Sequence, residues 1–190
     1  ILLNVMSSSP VDVVRDTAAW TIGKIFNMHP GIVTDKAEEV LIAMGHTATN
    51  EVPRVSAQAC WTIHAMSEAY GNYENNPIHT HFGQLIDCLL KTAERPDGGE
   101  FLLRINAYET LNTLLSFAKP EHHDLLVELF NMVCVELQQS VQHIQQSGPD
   151  FALAQKQEMI CAMITVLAPN IQDTIRQNHN PLMNVLFQLL

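Results

Sequence analysis

Two tryptophans, Trp20 and Trp61, lie forty-one residues apart in the 190-residue chain, and each is followed by Thr-Ile. The face of an indole attracts the cation of a lysine or arginine. Nearby carboxylates and amides hold such charges, and an extended backbone, by hydrogen bonds. A helical reading puts Asp16, Lys24 and Asn27 on the side of Trp20, and Arg54, Gln58, His64 and Glu68 beside Trp61. A third segment carries Glu109 at the equivalent position, flanked by Asn106, Asn112, Thr113 and Ser116. These residue types suit recognition of a basic partner without bond chemistry.

Other groups with chemical potential carry less. His79 and His81 form an H-x-H and His122–His123 are adjacent, but helical side chains two apart diverge by about 200° and do not share a metal as an i, i+4 pair does. They read as solvated or capping histidines. "PDGGE" at 96–100 resembles a phosphate loop only superficially, since two acidic residues in a single turn make a poor anion cradle. There is no H-E-x-x-H, G-x-S-x-G or P-loop. Cys60, Cys88, Cys134 and Cys161 are widely spaced and read as free thiols in a reducing compartment. The Met-rich "EMICAMITVL" reads as core. No catalytic residues, metal or cofactor are expected, and the chain is not expected to be an enzyme.

The elements that must position the tryptophans are helices. Val14, Ala18, Ile22 and Ile25 recur at helical spacing, as do Val55, Ala59, Ile63 and Met66, and then Leu103, Ala107, Leu111 and Leu114. The offsets of 41 and then 48 residues suggest an internal repeat with loops of variable length. Breaks fall at "MHPG", "YGNYENNP", "RPDGGE", "AKPEHH" and "SGPD". Helix pairs recurring about every forty residues predict an all-α fold, an α-solenoid. On a helical wheel Trp20 lies about 150° from the centre of the Val14–Ala18–Ile22–Ile25 stripe. Two readings of such a position stand: packing against the adjacent repeat, or an aromatic and acidic groove.

Hydrophobic residues make up 47% of the chain, and ten basic against twenty acidic residues give a net charge of −10. That surface repels nucleic acid and anionic membranes and attracts basic partners. No signal peptide is seen, and no apolar run is expected to approach the ~18 residues of a membrane span. The chain opens on "ILLNVM" and closes on "PLMNVLFQLL", so both ends read as helices cut through and the chain as a piece of something longer.

"VVRDTAAWTIGKI", "PRVSAQACWTI", "ERPDG" and "RINAYETL" closely resemble, in order and spacing, the middle HEAT repeats of the importin β family of nuclear import receptors. The resemblance covers essentially the whole chain and is strongest to about residue 118. It implies a right-handed α-solenoid: a single array of about four HEAT repeats over 1–190. Concave B helices would lie at about 13–27, 54–69, 103–117 and 152–168, and convex A helices at about 33–46, 80–94, 121–146 and 181–190. In this family inner tryptophans and acidic residues bind the basic importin-β-binding segment of importin α. Trp20 and Trp61 match two of those tryptophans, and the match extends to Asp16 and Glu109. Gln58 stands where relatives show another amide. The implied binding set is Trp20, Trp61, Asp16, Gln58, Glu68, Asn106 and Glu109.

The family's acidic loop for cargo release and its main Ran-GTP contact would both lie before residue 1. Ran and nucleoporins are therefore expected as partners of the full-length protein, in cytoplasm, nucleus and the nuclear pore. A HEAT scaffold of another kind, such as a phosphatase scaffold subunit or a different karyopherin, would use the same helices with the tryptophans as packing residues.

Overall fold

The computed structural model describes residues 1–73 and 76–177, and among these every regular element is a helix. Two compact units divide the chain, Ile1–Phe117 and the residues from Ala118 onward. In the first, α1 (Leu2–Ser8) and α2 (Asp12–Met28) are followed by α3 (Ala37–Asn50) and α4 (Pro53–Tyr70), then α5 (Phe82–Ala93) and α6 (Leu103–Ser116). Short helical turns at Pro30–Val33 and Pro77–Thr80 lead into α3 and α5. The segment expected as a helix at 33–46 thus begins with a turn, and its α-helix runs later, to Asn50. The expected helix at 181–190 lies outside the described residues.

Helix α4 is the centre of this unit, packed against α2, α3 and α6. Proline at its first position suits a helix start, where the missing N–H has no intrahelical partner. Val55, Ala59, Ile63 and Met66 are fully buried, as the apolar spacing predicts. Ser56, Ala57, Cys60, Thr62, Ala65 and Ser67 are buried too. These small side chains let neighbouring helices approach on two further sides. The outward line at helical spacing is Arg54, Gln58, Trp61, His64 and Glu68.

Helix α2 differs from its expected face. It buries Ala18, Ala19, Ile22, Gly23 and Phe26, while Val14 is 44% exposed and Ile25 half-buried. The buried centre is rotated by about 80° from the predicted stripe and lies about 130° from Trp20. The cause is a second neighbour. Helix α2 is covered by α1 and also by α4, and α4 reaches the Ala19–Gly23 side.

A repeated hydroxyl bridge sets the register between these helices. The Thr62 hydroxyl on α4 lies 2.9 Å from the Ala19 carbonyl of α2 and 3.0 Å from the Gln58 carbonyl of its own turn. The Thr110 hydroxyl on α6 stands likewise, 3.0 Å from the Cys60 carbonyl of α4 and 2.6 Å from Asn106 of its own helix. Ala19 and Cys60 immediately precede Trp20 and Trp61, and Thr62 and Thr110 immediately follow Trp61 and Glu109. The recurrent threonine therefore aligns the three equivalent positions on adjacent helices.

Arg95 closes the far end. Its guanidinium donates bidentately to Asp97 at 2.9 and 2.7 Å, and also to the carbonyls of Ala48, Thr49 and Glu51 and to the Ser56 hydroxyl. Those carbonyls belong to the last turn of α3 and the residue just beyond it, where helical partners run out. The same pairing holds the Asp97 carboxyl below its ordinary range and raises the arginine. The "RPDG" segment is thus a clamp between helices.

In the second unit α7 (His123–Ser147) packs on α8 (Phe151–Leu167), followed by α9 (Gln172–Gln177). Leu126, Leu129, Phe130, Val133, Leu137 and Val141 form the buried stripe of α7, and Ile160, Met163, Ile164 and Leu167 that of α8. Gly148, at φ 88°, ends α7 in a conformation that favours glycine, and the Asp150 carboxylate accepts the Leu153 N–H to start α8. By length and composition Phe151–Asn170 is a helix that could cross a membrane, although Gln155, Lys156, Gln157 and Glu158 interrupt its apolar run. Its Lys156 pairs with Glu136 of α7, and its Gln157 amide donates to Ser140, so this helix is tied to α7 by polar contacts as well as apolar ones.

Replacing Thr62 by valine keeps the shape and removes the bridge. We expect a loss of about 1 kcal/mol in urea denaturation. Thr21→Val, whose hydroxyl bonds only within its own helix, should cost less than half as much.

Candidate functional site

Trp61 leans across to α2. A Cβ added to Gly23 would stand 2.6 Å from its Cζ3 and 3.1 Å from its Cε3. Glycine at 23 is thus the space in which the six-membered ring of Trp61 rests. Trp20, three residues earlier on α2, stays 46% exposed, whereas Trp61 is half-buried. Between them stands Lys24. Its Nζ lies 5.6 Å from the Trp20 ring centroid and 5.0 Å from that of Trp61, within cation–π range of both. Among the described residues Lys24 pairs with no carboxylate.

Asp16, Gln58, Trp61 and Asn106 come together with Arg54, Ala57 and Phe101 around a cavity of about 300 Å³. Across it Arg54 Nε donates to Asp16 Oδ2 at 2.9 Å, and the guanidinium lies 5.8 Å from the Phe101 ring centroid. The Gln58 Nε2 has no hydrogen-bond partner among the described residues. Three members of the expected set do not line this cavity: Trp20, Glu68 and Glu109. Glu68 is exposed further along α4, 3.6 Å from His64. Glu109 is exposed on α6 and forms no ion pair among the described residues.

Trp61 packs against the adjacent helix and also presents a face to a cation. Trp20 is open. Sequence reasoning placed Lys24 and Arg54 on the right side without giving them partners. The i, i+4 spacing of Trp20 and Lys24 was the available signal for the first contact. Phe101 was missed. It and Leu102 have φ of 48° and 57°, left-handed values that strain non-glycine residues, and both are largely exposed. Two apolar residues directly after "DGGE" were its only trace in the sequence.

A second, more apolar cleft of about 270 Å³ lies between α3 and α5, lined by Leu41, Ile42, Gly45, Leu85 and Cys88 with polar residues at its edge. Ile42 is 57% exposed there.

Gly23→Ala should be destabilising by about 1 kcal/mol, although alanine is the better helix former. Displacing a rigid indole costs more than the propensity gain. Tryptophan emission should shift with it. A more stable variant with unchanged emission would contradict the close approach.

Comparison with known proteins agrees with this architecture. Residues 40–190 match the family model described as importin subunit beta-1-like, TPR repeats. Importin subunit beta-1 of Arabidopsis thaliana is 28% identical over 148 residues, covering 74% of this chain and 17% of the relative. That of Saccharomyces cerevisiae is 27% identical over 203 residues, covering all of this chain and 22% of the relative. The chain thus spans about a fifth of the length of these relatives. Yeast importin-β (Kap95p) superposes with a TM-score of 0.88 at 22% identity, over all of this chain and 22% of that one. A Kap95:Nup1 complex gives 0.86 at 23%, and a Kap95p structure with RanGDP gives 0.83 at 22%, with coverages of 100% and 99% of this chain and 22% of each of those chains. These likenesses establish the fold as a HEAT-repeat α-solenoid.

Proposed function

Because this chain belongs to the importin subunit beta-1-like family, we propose that its tryptophan stripe receives a basic peptide segment, such as that of an importin α, during nuclear import. The observation that carries this reading is the ammonium of Lys24 held between Trp20 and Trp61. The pair has the spacing and orientation to bind a cation. Glu109 and Glu68 supply exposed carboxylates on the neighbouring and the same helix. The adjoining cavity adds the side chains of Gln58 and Asn106. In this proposal α2, α4 and α6 line the binding side of the first unit and α3 and α5 its other side. The mechanism is recognition without catalysis, in a receptor that shuttles between cytoplasm and nucleus.

Titration with a fluorescent basic segment of importin α tests it. Trp20→Ala should weaken binding by about 1 kcal/mol, and Trp61→Ala, whose contact is better shielded, by up to about 2 kcal/mol. Added salt should weaken the wild type further, because charge attraction draws the encounter. Unchanged affinity in both variants, with helicity intact, would refute the role.

A second binding function is favoured by the apolar cleft between α3 and α5, together with the similarity to Kap95 in complex with Nup1. We propose that this cleft takes an apolar side chain of a nucleoporin segment. Ile42→Asp should abolish that binding in a pull-down with the segment, while leaving the basic segment's affinity unchanged. Loss of both, or of neither, would count against two separate surfaces.

A further inference from the structure

Resting on the proposed basic-segment site, we infer that Lys24 is a resident competitor that makes the tryptophan pair selective for arginine over lysine. The position between the two rings is already filled by a lysine of the chain itself. An incoming lysine offers the pair nothing that Lys24 does not already supply, and it must displace a tethered rival of identical chemistry. An arginine differs. Its guanidinium is planar, more weakly hydrated and stacks on aromatic faces, so it gains more from an indole than an ammonium does.

Displacement is feasible because of how Lys24 is held. Among the described residues it has no carboxylate partner, and its ammonium lies over the two indoles. It is only partly buried, and Trp20 beside it is 46% exposed. Arg15, in contrast, is tied to Glu51 and Asp12 on the same helix's inner side. The neighbouring cavity repeats the arrangement, with Arg54 set on Asp16 and the Phe101 ring. There the resident cation is itself an arginine with a carboxylate partner, so it is the harder of the two to displace. The inference therefore concerns Lys24 alone.

Two matched basic peptides test it, identical except that one carries arginine and the other lysine at every basic position. Each is titrated against wild-type chain, Lys24→Ala, and Lys36→Ala as a control for the loss of one positive charge elsewhere. Lys36 is exposed and, among the described residues, pairs with Glu39 alone. The wild type should prefer the arginine peptide several-fold. In Lys24→Ala the lysine peptide should bind at least fivefold tighter, beyond any gain in Lys36→Ala, and the arginine preference should shrink. Lys24→Gln, which keeps length and drops charge, should behave in the same way and guards against a helix defect in the alanine variant. Equal gains in the Lys24 and Lys36 variants would reduce the effect to net charge and overturn the inference. Weaker binding in both Lys24 variants would do so too, by making Lys24 a support for the indoles. If Trp20→Ala weakens binding while the Lys24 variants leave selectivity unchanged, the inference fails and the basic-segment site stands. If no variant or wild type binds either peptide, both fail.

Discussion

One hydroxyl, repeated, holds the stripe together. Thr62 reaches the carbonyl of Ala19 and Thr110 that of Cys60, each bond crossing from one helix to the equivalent turn of the previous one. A buried helical carbonyl already has an amide partner, so these bonds add little to backbone satisfaction. Their effect is registration. Sliding one helix by a turn, about 5.4 Å, would break both the bond and the alignment of Trp20, Trp61 and Glu109. The small residues at and around the bridges, Ala19 and Gly23 on α2 and Ala59 on α4, bring the backbones close enough for a threonine to span the gap.

From that registration the character of the site follows. Helix α4 is covered on three sides, so Trp61 and its charged and amide side chains are confined to one line. The line meets the buried side of α2 where Gly23 leaves room for an indole. The result is two rings of different exposure around one cation: Trp61 seated against a neighbouring helix, Trp20 open to an incoming group. A site built on helices is more rigid than one on loops, which favours recognition of a fixed pattern of charge. The Arg95 clamp does comparable work at the other end of α4, capping α3 and fixing the loop that carries Phe101.

Much of this was legible from sequence, and the parts that were not share a cause. Periodicity located α4 and its Val55–Ala59–Ile63–Met66 face because that face is apolar and long. It placed the core of α2 about 80° away from the observed one, because a wheel weights valine and isoleucine over alanine and glycine. Helix α2 is covered by two neighbours, and its closest contact is made through the smallest residues. The wheel still set Trp20 away from the core, since a rotation of that size leaves it outside. The shared Thr-Ile after each tryptophan was visible as a repeat, but Thr21 bonds within its own helix while Thr62 reaches a carbonyl 43 residues away, a distance no local pattern reports. Arg95 was part of a recognised motif, yet its partners at Ala48, Thr49 and Glu51 are equally remote. Phe101 depends on a left-handed backbone that its residue type argues against.

The central claim is that Trp20 and Trp61 form a single site rather than two independent exposed rings. The chain has two tryptophans, so a nitrogen-15-labelled sample gives two indole N–H resonances, one for each ring. Titration with a basic segment should shift both with one common dissociation constant and saturate at one equivalent. Binding that leaves both resonances unmoved, or that shifts them along separate curves, would contradict the account.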